Sequence, residues 1–316
     1  MLKTALHTLP LLTNQLQRVT LRDGAELAVR VVGHGQPVVL LHGFGMQSAL
    51  WLPNILPLAQ HYRFIMPDLR GFGHSHRIRL NSPDALTNFS LDFEDILDHF
   101  QIGRVALGGI SMGALTGLKL NQMGLFSRVS KYLHIDQSPQ VRNSADWQYG
   151  LFGAAQDQMF ARFHQLVQRL GAQGIDTPYQ QLPAAMRRDF MADFGEFIGY
   201  AMRSPLQRPL LRQLFRHGEP LIAGRVMPVA CWSTYLQIIQ SYLDSDTHSL
   251  PTLATIKVPM TVMVGMQSQM YPAAGQIAIR DYVPHAEIVR FEHAGHAPML
   301  DQPLTFQREF KRFLER

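Results

Sequence analysis

Short apolar runs recur along the chain, each closed by Gly, Pro or Asp: PVVLLHG at 37–43, RFIMPD at 63–68, RVALGG at 104–109, KYLHID at 131–136 and PMTVMVG at 259–265. Runs of this length, stopped by a turn-forming residue, fit strands buried on both faces of a parallel sheet. Between several of them apolar residues return at helical spacing, as in Phe89 to Phe100 and Met112 to Gln122. Strand and helix therefore alternate, which predicts an α/β fold built on a doubly wound, mostly parallel sheet. Ahead of the first run, Arg18 to Val32 alternates about Asp23-Gly24, the pattern of an antiparallel hairpin at a sheet edge.

The alternation stops after Ile135. From about Gln140 to Leu250 the chain shows no convincing strand, and helix-like segments rich in Phe, Met, Leu, Gln and Arg are separated by Pro and Gly. Strand and helix resume at Lys257, with a last strand at Glu287 to Phe291 and a terminal helix at Pro303 to Leu314. The expected organisation is a core of residues 1–139 and 251–316, with 140–250 inserted as a helical cap, or lid, over one end of the sheet. At 316 residues, one α/β domain with such an insertion accounts for the whole chain.

The sequence GGISMGA, 108–114, follows one of the strand-like runs and opens a helix-like one. A nucleophile on a sharp strand-to-helix turn occupies a strained backbone conformation, and residues two positions to either side must then be small. Gly109 and Gly113 meet that requirement around Ser111. A glycine-rich turn that merely packs closely, or that binds phosphate at a helix N-terminus, is the competing reading of the pentapeptide alone.

Four motifs in order, HGFG at 42–45, DLRGFGHS at 68–75, GGISMGA at 108–114 and HAGHAPMLDQP at 293–303, resemble those of the α/β-hydrolase superfamily, in its serine esterase and lipase-like branch. The resemblance covers about residues 18–136 and 256–316; the insertion matches only as a generic helical cap. It implies that Ser111 is the nucleophile and that His296, after the last strand, is the base that takes its proton. The resemblance further implies an oxyanion hole of two backbone N–H groups, those of Phe44 and Met112. His293 reads as a loop residue, and His42, His74 and His76 as braces of the other motifs.

The third member departs from the commonest pattern. Many relatives carry Asp after the strand that follows the cap, in a stretch resembling VGxxDxxxP; here that stretch is VGMQSQMYP, with Ser268 in the Asp place and no carboxylate between Ile256 and Ile279. A serine cannot offset the charge that imidazole acquires during attack. Asp136, ending the preceding strand-like run, stands where some subfamilies, haloalkane dehalogenases among them, place the carboxylate. It is the expected acid, against the alternative that it only caps the turn before Pro139. Asp68 reads as a loop brace, and Asp301 as a cap of the terminal helix.

Composition removes other classes. The formal net charge of +5 comes from scattered residues with no Lys/Arg block, so nucleic acid is not an expected partner. No run of about 18 apolar residues occurs, so no membrane span is expected. Histidines lack metal-ligand spacing and G-x-G-x-x-G is missing after the first strand, so neither a metal nor a cofactor is implied. The single cysteine, Cys231, excludes an internal disulfide and reads as a buried thiol. The N-terminal stretch lacks an uninterrupted signal-peptide core, and a cytoplasmic location is expected. Nothing in the sequence sets the oligomeric state.

Within the insertion Trp147, Tyr149, Phe152, Phe160, Phe163 and the aromatics of Phe190 to Phe197 either line an apolar acyl pocket or pack the cap helices together. Ten Arg against nine Asp/Glu there select no charged carrier. Because serine at the elbow suits acyl transfer, the expected activity is hydrolysis of a small to medium, largely apolar carboxylic ester, a small-molecule substrate. A lactonase or carbon–carbon hydrolase of the same fold is the first alternative. A non-catalytic small-ligand receptor is the second.

Overall fold

The computed structural model describes residues 14–174, 176–226, 232–244 and 248–316; Cys231 and most of the N-terminal stretch lie outside the described residues. Among the described residues eight strands form one sheet: β1 (Asn14–Thr20), β2 (Glu26–Val32), β3 (Gln36–Leu41), β4 (Tyr62–Pro67), β5 (Val105–Ile110), β6 (Val129–Ile135), β7 (Met260–Gly265) and β8 (Glu287–Phe291). Their order is β1-β2-β4-β3-β5-β6-β7-β8. The β1–β2 hairpin and the β2–β4 pair are antiparallel, and every later pair is parallel. The fold is thus the mostly parallel α/β sheet that the apolar runs imply.

Helices cover both faces. Helix α1 (Ala85–His99) starts at Asp84, whose carboxylate accepts the Leu86 and Thr87 N–H groups. It buries Phe89, Phe93, Ile96 and Leu97, each such side chain contributing about 1.5–3 kcal/mol of burial. Helix α2 (Met112–Gln122) follows β5 directly, with Leu115 and Leu118 facing the same core. On the other face lies α8 (Pro303–Glu315), where Phe306, Phe310 and Phe313 recur at helical spacing and stack in sequence against Phe291 and Phe64.

Between β6 and β7 come five more helices of eight residues or more among the described residues: α3 (Gln156–Gly171), α4 (Ala184–Ala201), α5 (Gln207–His217), α6 (Glu219–Val226) and α7 (Trp232–Asp244). No described residue of this stretch belongs to a strand, though isolated bridges pair Gln140 with His248 and Ser144 with Trp147. The Gln140 bridge, with Ser249 N–H donating to Pro139 O at 3.0 Å, brings the outgoing and returning chain together. Among the described residues no helix is long and apolar enough to cross a membrane.

Candidate active site

The parallel register sets the site. Ile110 pairs with Ile135, Ile135 with Met263, and Gly265 with Phe291, so β5, β6, β7 and β8 end in a row at one edge of the sheet. Whatever follows each strand emerges side by side. Ser111 follows β5 and its N–H donates to Ile135 O at 2.9 Å; Asp136 follows β6 and its N–H donates to Met263 O at 3.0 Å. Residues distant in sequence meet because the ladder runs on by one residue.

Ser111 sits at φ 53°, ψ −122°, a conformation that costs a non-glycine residue about 1–3 kcal/mol. The glycines around it are there for space. A Cβ on Gly109 would lie 2.4 Å from the Gly113 carbonyl group, and one on Gly113 would lie 2.3 Å from Leu41 O. Any side chain at either position would push β5, α2 and β3 apart.

His296 and Asp136 meet after strands β8 and β6. The imidazole Nδ1 donates to Asp136 Oδ1 at 2.8 Å, with His296 3% and Asp136 0% exposed. The same Oδ1 accepts the Ser268 hydroxyl at 2.7 Å, and Oδ2 accepts Gly265 N–H at 2.9 Å. Thus Ser268, standing where the motif commonly has Asp, donates its hydroxyl to the same carboxylate that receives the imidazole. The carboxylate's bonds go to these groups and not to the turn before Pro139. With Nδ1 committed as donor, Nε2 is the free, basic nitrogen. No hydrogen bond joins it to Ser111 Oγ among the described residues, a contact that commonly tightens only when a substrate is bound.

Asp301 corrects one expectation. It does not cap the terminal helix, which begins after Gln302 without a side-chain cap; its Oδ2 accepts Gly295 N–H at 2.8 Å and ties down the loop that carries His296. Asp68 does brace a loop, accepting the backbone N–H groups of Ser48 and His74 at 2.6 and 2.8 Å. His76 Nδ1 donates to Gly73 O at 2.8 Å, and His293 is an exposed loop residue.

The loop after β3 is oriented by a buried imidazole. Leu69 N–H donates to His42 Nε2 at 3.0 Å, so Nδ1 carries the proton and donates to Gly43 O at 2.8 Å. Burial lowers the His42 pKa, which keeps this tautomer neutral. In a trans peptide the N–H points opposite the carbonyl, so the Phe44 N–H is directed away from His42. Gly43 adjoins Ser111, since a Cβ there would lie 3.3 Å from Ser111 Cβ. The Met112 N–H, in the first turn of α2, has no intrahelical partner. Phe44 itself is held edge-on by Phe197 and Tyr235, each at 5.2 Å.

A second buried pair lies under the turn. The Tyr132 hydroxyl is 2.5 Å from Ala114 O and 2.9 Å from His134 Nδ1, while His134 Nε2 donates to Gln137 O at 2.8 Å. It links the first turn of α2 to the residue after Asp136. Burial pushes the His134 pKa down to about 4. Tyr132 and His134 share one face of the KYLHID run, but nothing in that run marks their further partners, Ala114 and Gln137.

A narrow cavity with about 50 Å³ of free space opens on Ser111, room for one or two waters. Of the aromatics singled out in the sequence, Phe160, Phe163, Phe190, Phe194 and Phe197 line it. Phe152 packs instead on Tyr200, ring centres 4.7 Å apart, and Trp147 on Tyr149 at 5.2 Å. Tyr271, which also lines the cavity, has its ring centre 6.1 Å from that of His296. Among the described residues no group of three or more His, Cys, Asp or Glu is placed to hold a metal.

Comparison with known proteins gives a consistent picture. A model of the alpha/beta hydrolase family matches residues 38–308. A pimeloyl-[acyl-carrier protein] methyl ester esterase of Nitrosomonas europaea is 24% identical over 282 residues, covering 89% of this chain and 97% of that one. The protein of the same name from Vibrio cholerae is 25% identical over 293 residues, covering 91% and 97%. Among solved structures, an esterase from Exiguobacterium antarcticum matches with TM-score 0.71 at 22% identity, over 96% of this chain and 100% of that one. These likenesses in structure establish the fold.

Proposed function

The chain belongs to the alpha/beta hydrolase family, and from that premise we propose that it hydrolyses carboxylic esters of small to medium, largely apolar molecules through an acyl-enzyme. Ser111 Oγ attacks the ester carbonyl while His296 Nε2 takes its proton. Asp136 holds the imidazole in the tautomer with Nδ1 protonated and stabilises the imidazolium that forms. The carbonyl oxygen, now an oxyanion, is received by the N–H groups of Phe44 and Met112. Collapse breaks the C–O bond, and His296 returns its proton to the departing alkoxide. Water, deprotonated by the same nitrogen, then attacks the acyl-enzyme, and Ser111 is released with its proton restored.

The observation that carries this reading is the buried 2.8 Å contact between His296 Nδ1 and Asp136 Oδ1, beside a serine held at positive φ. Relatives named for a methyl ester favour a small leaving alcohol. Residues 140–250 act in this reading as a cap on the core of 1–139 and 251–316, and its aromatic wall has to part before an ester fits the space at Ser111.

The test is turnover of short- and medium-chain chromogenic esters by the protein and by Ser111→Ala, with labelling by a serine-directed phosphonate. We expect Ser111→Ala to lower kcat by about 10⁵-fold or more and to abolish labelling. Neither turnover nor labelling by the intact protein would instead identify a ligand receptor.

A further inference from the structure

The cavity that reaches Ser111 is walled by aromatic and aliphatic side chains, yet it also touches a carboxylate, Asp193 on α4, which is only 4% exposed. A buried carboxylate is costly unless it is paired, and this one is paired on one side only. Its Oδ1 accepts from Arg162 of α3 and, at 3.1 Å, from Arg212 of α5. Its Oδ2 accepts from no described residue.

The anchoring of these helices does not explain that arrangement. Glu196, one turn further along α4, already accepts from the same two guanidinia, at 2.5 Å from Arg162 and 2.7 Å from Arg212. Two carboxylates and two guanidinia make a neutral cluster beside the cavity, so an acceptor that Asp193 offers there has little net field behind it. Such a group rewards a neutral donor; a further cation would meet the two arginines.

Resting on the esterase reading above, we propose that Asp193 is a specificity residue. The substrate is an ester whose buried arm ends in a neutral hydrogen-bond donor, such as a hydroxyl, received by Asp193 Oδ2. An arm ending in plain alkyl would leave the carboxylate desolvated and unmatched, a large penalty for a buried charged acceptor. Burial raises the Asp193 pKa, in keeping with a group that gains from a donor.

Binding of amide isosteres, which are not cleaved, tests this without turnover. Calorimetry compares N-methyl alkanamides of about four to ten carbons with their ω-hydroxy, ω-methoxy and ω-amino counterparts; a second series carries the same ends on the amine side. At one chain length the hydroxyl should tighten binding by about tenfold, the methoxy group should not, and the ammonium should add nothing beyond the hydroxyl. Asp193→Asn should lose most of that preference, with its thermal unfolding checked in parallel. No hydroxyl preference above about twofold at any length, an equal gain from methoxy, or a preference that survives Asp193→Asn would overturn the proposal. Should Asp193→Asn not fold, the wild-type hydroxyl and methoxy series still decides. Failure of the chromogenic esters to turn over would instead count against the esterase reading and leave these affinities readable.

Discussion

At the edge of the sheet one carboxylate, Asp136, gathers an imidazole, a hydroxyl and a backbone N–H. In the helices between β6 and β7, two carboxylates, Asp193 and Glu196, are matched by two guanidinia, Arg162 and Arg212. The first arrangement is positioned by strand ends, whose spacing the ladder dictates. The second depends on three helices docking on one another. The edge cluster is therefore fixed by backbone spacing, while the helical cluster is spanned by long side chains.

The comparison is broken most severely by Asp136→Asn. An amide cannot balance the imidazolium, and we expect kcat on a chromogenic ester to fall by about 10³- to 10⁴-fold. Adding Ser268→Asp to that variant, so that a carboxylate stands where the hydroxyl now donates to Asp136, should return at least about tenfold of the loss. No recovery would show that only the end of β6 can address His296.

The buried His134 predicts a pH dependence of stability. Its pKa is held at about 4 in the folded protein, against about 6.5 when unfolded. Between those values the unfolded chain binds a proton that the folded one does not, so stability is full above about pH 6.5 and declines toward pH 4. The loss from pH 7 to pH 5 should be about 2 kcal/mol, read from urea unfolding, and should shrink in His134→Gln.

Smaller effects sharpen the comparison further. Asp301→Ala frees the Gly295 N–H and loosens the His296 loop; kcat/KM should fall by about tenfold, while the phosphonate still labels Ser111. Arg162→Ala removes one partner of both carboxylates in the helices. It should lower the unfolding midpoint by a few degrees, about 2–4 °C per kcal/mol lost, with the labelling rate within about twofold of wild type.

The edge was largely legible from the chain itself, and the helices were not. Each apolar run stops within a residue or two of its strand, and β8 spans Glu287–Phe291 as read, because buried parallel strands leave a continuous apolar signature. The pairing of Asp136 with His296 could be reasoned from the missing acid near Ser268. The fate of Ser268 could not, since its hydroxyl turns to a residue 132 positions away. Asp301 was misread because Asp before Gln302-Pro303 looks like a helix cap locally, whereas its partner lies in the preceding loop. Asp193 gave no signal at all: one acid among nine in that stretch, made distinctive only by which oxygen its arginines leave open. Periodicity reports burial, and it is silent about which buried polar atom remains unmatched.

Asp136 has one more consequence. With the carboxylate rooted at the end of β6, the loop after β7 carries no acid in the chemistry proposed for the site; it braces Asp136 through the Ser268 hydroxyl and serves as wall through Met270 and Tyr271. Exchanges in that loop beyond Ser268 can reshape the recess and leave the carboxylate where it is. The protein offers an engineer two separately adjustable parts, where an acid carried on that loop would have welded them together.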